Sequence, residues 1–306
     1  MRRTGKVLAP LAAALLLVPG ATWAPAAGRG APPSFVKGVK VLRDVEYGRA
    51  GGERLLLDLY IPEGAKKPLP AVVLIHGGGW VGGDKSRTRP AALFIAGHGY
   101  IVASVNYRLA PRHKYPAQLD DVQRAVRWLR MHAKDFGIDP KRIAAWGSSA
   151  GGHLAALLGL RDARDNSDPE LSKYSARVQC VVDLFGPTDL AGAAERSPRA
   201  ERILLAFLGR PYGEAPELWR DASPLYHVSP DDAPFYIIHG TEDRLVPVSE
   251  SEKLAEALRK AGVEVTFVKI EGMGHGRPLT PRAREAFRRA LEGAIRFLDR
   301  HLKGKR

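Results

Sequence analysis

The chain has 306 residues, 45% hydrophobic and 26% charged, an ordinary globular composition that excludes disordered, collagen-like and multi-span membrane classes. Its 47 Lys and Arg against 33 Asp and Glu leave a formal charge of +14, a balance that points to nucleic acid or a membrane surface only if the charge lies on the folded body. A single cysteine, Cys180, excludes an internal disulfide and a cysteine-based zinc cluster.

The chain opens with Arg2, Arg3 and Lys6, an apolar run from Val7 to Val18, and a Pro19-Gly20 break. This pattern predicts a secretory signal over 1–26, cut after Ala26 at the small-x-small site Ala24-Pro25-Ala26. The run is too short to span a bilayer, so the expectation is a secreted or periplasmic protein with no membrane span in its mature form. Residues 27–39 read as a linker, and a single α/β domain is expected over 40–306.

Between Val45 and Tyr60 two strands turn at Gly51-Gly52, with Leu55, Leu57 and Leu59 alternating with Leu56, Asp58 and Tyr60. Beyond the loop at 62–70 the pattern changes to continuous apolar runs bounded by glycine or proline. These predict strands at Ala71–Ile75, Tyr100–Val105, Ile143–Trp146, Val178–Leu184, Phe235–Ile238 and Val263–Ile270. Helical spacing fills 90–98, 117–134, 150–160, 249–261 and 281–302. Buried strands alternating with helices predict a doubly wound, mainly parallel sheet, whose ligands sit outside the carboxyl ends of the strands. The stretch 187–233 breaks this rhythm; with a short helix at 199–208 it reads as a small lid.

The strand ends carry the chemistry. The first central strand runs into His76-Gly77-Gly78-Gly79-Trp80, where consecutive glycines let backbone N–H groups approach a substrate oxygen. The strand Ile143–Trp146 runs into Gly147-Ser148-Ser149-Ala150-Gly151 and then a helix, the strand–turn–helix setting in which a Gly-x-Ser-x-Gly turn exposes its central hydroxyl. Ser149 is therefore the expected nucleophile; Ser148 is out of register. A serine needs a base and an orienting acid, which in this fold follow in the order Ser, Asp or Glu, His. Asp243, in His239-Gly240-Thr241-Glu242-Asp243, is the expected acid with Glu242 its rival, and His275, between Gly274 and Gly276, is the expected base. The amides of Gly78, Gly79 and Ala150 are the expected oxyanion donors. Trp80 either lines a substrate pocket or packs, and His76 is expected to hold its loop by hydrogen bonding.

Other residues read as structural. His153 points along its helix, Cys180 lies within an apolar strand, and Asp183 and Asp189 suit the acid role less well than Asp243. His113, His227 and His239 lack metal-ligand spacing, and there is no phosphate-binding loop or dinucleotide fingerprint, so neither metal nor cofactor is expected. Residues 281–306 hold nine Lys and Arg against three Asp and Glu. Phe287, Leu291, Ala294, Ile295, Leu298 and Leu302 form one stripe there, and acids precede bases by four at Glu285 and Arg289, Glu292 and Arg296, Asp299 and Lys303. This is a docked amphipathic helix with a solvated basic back, without the interleaved aromatics of a nucleic-acid platform.

The runs His76–Trp80 with Gly83-Asp84-Lys85, Asn106-Tyr107-Arg108-Leu109-Ala110-Pro111, Tyr115-Pro116-Ala117-Gln118, Gly147–His153, Phe185–Leu190 and His239–Pro247 together resemble the α/β-hydrolase superfamily. More narrowly, the chain is similar over about 40–300 to secreted bacterial carboxylesterases of the hormone-sensitive-lipase-like and feruloyl/acetyl-xylan esterase (BD-FAE) type. The resemblance implies Ser149, Asp243 and His275 as the triad and a small-molecule or carbohydrate ester as substrate. One departure is Arg112, where relatives usually carry Glu after Ala-Pro. The expected activity is hydrolysis of short-chain or sugar-linked esters through an acyl-enzyme. An amidase, formamidase or peptidase would share this machinery, and a non-catalytic binding module on the same scaffold is the reading from another class.

Overall fold

The computed structural model describes residues 38–66, 68–192 and 198–304. The expected leader at 1–26 and nearly all of the linker at 27–39 lie outside them. The hairpin forms as β1 (Val39–Ala50) and β2 (Glu53–Pro62), turning at Gly51-Gly52. There follow β3 (Leu69–Ile75), β4 (Ile101–Val105), β5 (Ile138–Ser148), β6 (Val181–Leu184), β7 (Phe235–Gly240) and β8 (Val265–Ile270). They make one eight-stranded sheet in the order β1-β2-β4-β3-β5-β6-β7-β8, antiparallel through β1, β2 and β4 and parallel from β4 onward.

Why the strands are continuously apolar is visible in their two faces. Ala71, Val73 and Ile75 of β3 point to one side, with α2 (Ala117–Met131), α4 (Ala150–Leu160) and α7 (Ser249–Lys260). Val72 and Leu74 point to the other, with α1 (Arg89–Gly97) and α8 (Pro281–Lys303). A strand covered on both faces has no solvent side, so its period-two alternation disappears from the sequence. The expected helix at 117–134 is two, because α3 (Ala133–Phe136) restarts after His132 and stops at Gly137.

The C-terminal helix α8 starts on Thr280, whose hydroxyl accepts from the Ala283 N–H, and ends at Gly304. Phe287, Leu291, Ile295, Leu298 and Leu302 are buried as expected, each side chain worth roughly 1.5–3 kcal/mol. The charge ladder differs in one rung: Glu292 pairs back to Arg288, which it shares with Glu285, and not forward to Arg296. One guanidinium between carboxylates three residues before and four after it satisfies both. No helix among the described residues is long and apolar enough to cross a membrane.

The connection from β6 to β7 carries α5 (Pro198–Leu208) and α6 (Pro216–Asp221). It is tied down by Asp221, which pairs with Arg161 and Arg164 after α4. Phe207 of α5 stacks on Trp80 with centroids 4.2 Å apart, so the insertion rests on the loop that follows β3.

Candidate active site

The turn after β5 is steric before it is chemical. A Cβ on Gly147 would sit 2.0 Å from the Gly151 oxygen, and one on Gly151 would sit 2.2 Å from the Ile75 oxygen. Only glycine at both positions lets strand, turn and helix pack this closely. Ser149 between them has φ 55° and ψ −125°, a left-handed conformation that costs on the order of 1–3 kcal/mol and is held by the surrounding backbone. Its N–H donates to Leu184 O at 2.9 Å and its C=O accepts from the His153 N–H at 3.0 Å.

The Ser149 hydroxyl meets His275 Nε2 at 2.8 Å, and His275 Nδ1 meets Asp243 Oδ2 at 2.7 Å. Nδ1 carries the proton, because a carboxylate can only accept, which leaves Nε2 free to take the serine proton. His275 sits in the turn of a two-stranded ribbon, β9 (Met273–Gly274) and β10 (Arg277–Pro278), too short to register as strands in the sequence. The ribbon and the acid loop are stapled through the backbone, Glu242 N–H donating to Met273 O at 2.9 Å. That staple uses the Glu242 main chain while the Asp243 carboxyl reaches the imidazole.

Asp243 is buried, and its Oδ1 accepts the N–H groups of Leu245 and Val246, each at 2.9 Å. Its Oδ2 faces His275 and also lies 3.3 Å from His239 Nε2. Burial works against the anion, but the hydrogen bonds from His239, His275 and Val246 win and hold the carboxyl well below the usual carboxylate range. The Phe185 ring closes the other side of His275, edge-on at 4.9 Å. The Phe185 contact has no sequence signal, since it joins segments ninety residues apart, and the His239 contact, though only four residues along the chain, depends on how the loop after β7 folds back on its own strand.

The loop after β3 lies against the serine: a Cβ on Gly77 would be 3.2 Å from Ser149 Cβ. Gly78 and Gly79 adopt φ 127° and 61°, and Gly78 O accepts from Val81 and Gly82 in a tight turn. Ala150 is the first residue of α4, where helix N–H groups have no intrahelical partner. His76 holds this loop as expected, with Nδ1 on Gly77 O at 2.8 Å and its ring stacked on Tyr107. Tyr107 also donates to His76 O at 3.0 Å, and Asn106 binds both the Lys85 N–H and the Asp84 carboxylate. The Asp84-Lys85 and Asn106-Tyr107 motifs thus form one clamp on the loop.

Trp80 packs. Its indole is 3% exposed, stacked on Phe207, and donates to His153 Nδ1 at 3.2 Å. His153 in turn donates from Nε2 to Ala222 O at 2.7 Å, a structural role for that histidine. Cys180 is buried core and burial pushes its thiol up. Asp189 pairs with Lys253, and Arg112 pairs with Glu53 on β2.

The buried polar groups give an acid response. Burial holds His76 and His153 down at about 4 from an ordinary 6.5. The unfolded chain then binds more protons over that window, so their stabilisation is lost as pH falls from 6.5 through 4, by at most about 3 kcal/mol each. Asp183 has the opposite sign. It is fully buried beneath the elbow, accepts only from the Gly186 N–H at 2.9 Å, and burial raises it from 3.8 to about 6. Its contribution is present below 3.8 and lost as pH rises through 6. Urea unfolding at pH 7 and pH 4.5 should therefore show a steeper acid loss for Asp183→Asn than for the wild type; equal slopes would contradict this.

Comparison with known proteins bears on the family and the fold. The model of the BD-FAE family matches residues 57–258. Esterase LipC of Mycobacterium tuberculosis is 35% identical over 223 residues, 71% of this chain and 55% of that protein. The chain spans about half the length of the curated relatives it matches. A truncated carbohydrate esterase from gut microbiota superposes with a TM-score of 0.73 at 27% identity, covering 87% of this chain and 97% of that one. Est2 from Thermogutta terrifontis, a thermophilic esterase, gives a TM-score of 0.71 at 31% identity, with 88% and 94% covered. It has also been solved with propionate and with butyrate bound.

Proposed function

The chain belongs to the BD-FAE family, and from that premise we propose that it is a serine esterase acting on short-chain or sugar-linked carboxylic esters. The observation that carries the reading is the unbroken relay from Ser149 Oγ through His275 to Asp243, with links of 2.8 and 2.7 Å. In this mechanism His275 Nε2 takes the Ser149 proton as Oγ attacks the ester carbonyl. The amides of Gly78, Gly79 and Ala150 receive the developing oxyanion. His275 then returns the proton to the departing alcohol and next activates water, which releases the acid and restores Ser149. Asp243 keeps its charge throughout and stabilises the imidazolium.

Support for short acyl groups comes from the insertion over the oxyanion loop. Ile203 Cγ2 of α5 lies 3.4 Å from where a Cβ on Gly79 would be, so the insertion sits over that loop at ordinary contact distance. The carbohydrate esterase and the propionate- and butyrate-bound Est2 among the similar structures support the same substrate class. We take the enzyme to be exported, on the Arg2–Lys6 start, the apolar run and the Ala24–Ala26 site.

The test is a panel of p-nitrophenyl esters, acetyl-xylan, feruloylated oligosaccharide and a p-nitroanilide, with the Ser149→Ala protein as control. Acetate and butyrate esters should exceed C12–C16 esters by about ten-fold or more in kcat/KM, since a chain that the pocket cannot bury holds the ester carbonyl out of line with Ser149. Preference for the long chains would sink the short-acyl reading, and preference for the anilide would replace esterase with amidase.

A further inference from the structure

We infer that His239 is a positioning residue, whose Nε2–H holds Asp243 in the orientation that Asp243 needs to align His275. The inference rests on the triad proposed above and adds to it a second histidine on the far side of the acid. His239 is the fifth residue of β7 and is fully buried. Its Nε2 lies 2.8 Å from Val246 O and 3.3 Å from Asp243 Oδ2. Both are acceptors, so Nε2 carries the proton, and Nδ1 is left to accept from the Ser251 hydroxyl on α7 at 2.7 Å.

An ordinary core histidine would be satisfied by Val246 O and Ser251 alone. Here the same peptide that accepts from His239 also turns its N–H to the acid, since Val246 N–H donates to Asp243 Oδ1 at 2.9 Å. One ring therefore reaches both carboxylate oxygens, Oδ2 directly and Oδ1 through the Val246 peptide. Tilting the carboxyl out of its plane would lengthen both links at once. Ser251 fixes the ring from behind, and Phe185 packs edge-on at 6.4 Å. The line Ser251–His239–Asp243–His275–Ser149 runs from α7 to the nucleophile.

Two substitutions separate this role from general packing. The side-chain nitrogen of His239→Gln extends to the place of Nε2, whereas that of His239→Asn reaches only the place of Nδ1. kcat and KM for p-nitrophenyl acetate should be measured per reactive serine, counted with a fluorophosphonate, alongside thermal unfolding. The Asn variant should lose on the order of ten- to a hundred-fold in kcat with KM little changed, the scale expected when a reacting group is misplaced by about 1 Å. The Gln variant should recover to within about three-fold of wild type, because it restores the donor. Equal kcat in Asn variant and wild type overturns the inference, as does an equal loss in both variants that follows their unfolding temperatures. If neither variant folds, Ser251→Ala decides: it frees the ring and should lower kcat with KM unchanged, and an unaltered kcat overturns the inference. A wild type that hydrolyses no ester and takes no fluorophosphonate overturns the triad itself and the inference with it.

Discussion

Replacing Ser149 with alanine should lower ester hydrolysis by about six orders of magnitude while leaving the fold intact. Alanine removes the hydroxyl that lies 2.8 Å from His275 Nε2, and among the described residues the adjacent Ser148 does not replace it, being the last residue of β5, paired with Leu184 of β6. What survives is the contribution of the oxyanion donors and substrate positioning, on the order of 10³–10⁴ over water. A p-nitrophenyl acetate assay with fluorophosphonate labelling checks this, and labelling of the alanine protein at the wild-type rate would remove Ser149 from the mechanism.

Asp243→Asn should cost about 10⁴-fold in kcat with KM nearly unchanged. The side chain keeps its shape, and both of its orientations are wrong. With the amide nitrogen toward His275 it donates to Nδ1, so the imidazole proton moves to Nε2 and the serine proton has no acceptor. With the nitrogen turned the other way it meets the Leu245 and Val246 N–H groups, donor against donor. The charge that stabilises the imidazolium is gone in either case. Steady-state kinetics with several esters measures it; a loss below ten-fold would shift the acid role elsewhere, with Glu242 the first residue to examine.

Much of this was legible in the chain because the governing effects are local. The elbow announces itself through Gly147 and Gly151, whose missing side chains are a steric requirement within five residues. The continuous apolar runs of β3 to β7 announce a sheet covered on both faces. The order serine, acid, histidine could be read from which loops follow which strands. The sequence favours Asp243 with Glu242 as its rival, and it is the Asp243 carboxylate that lies 2.7 Å from His275 Nδ1.

Other features had no local signal. The β9–β10 ribbon that carries His275 has two residues per strand, too few for periodicity. Trp80 reads equally as a pocket wall or as core, and it is Phe207, more than a hundred residues later, whose stacked ring makes it core. His239 read as one more histidine without metal-ligand spacing, and Arg288 serving both Glu285 and Glu292 was hidden among several allowed pairings.

By itself the sequence determined the fold class, the turn that exposes Ser149 and the loops from which its partners come, because each follows from sterics or burial over a few neighbouring residues. Only the tertiary structure decided that Ser149, His275 and Asp243 meet in turn within 3 Å of one another, and that the insertion rests on the loop that follows β3. Those contacts join β5, β7, the β9–β10 ribbon and α5 across tens to more than a hundred residues. No pattern along the chain records how parallel strands, once aligned, bring their carboxyl ends side by side.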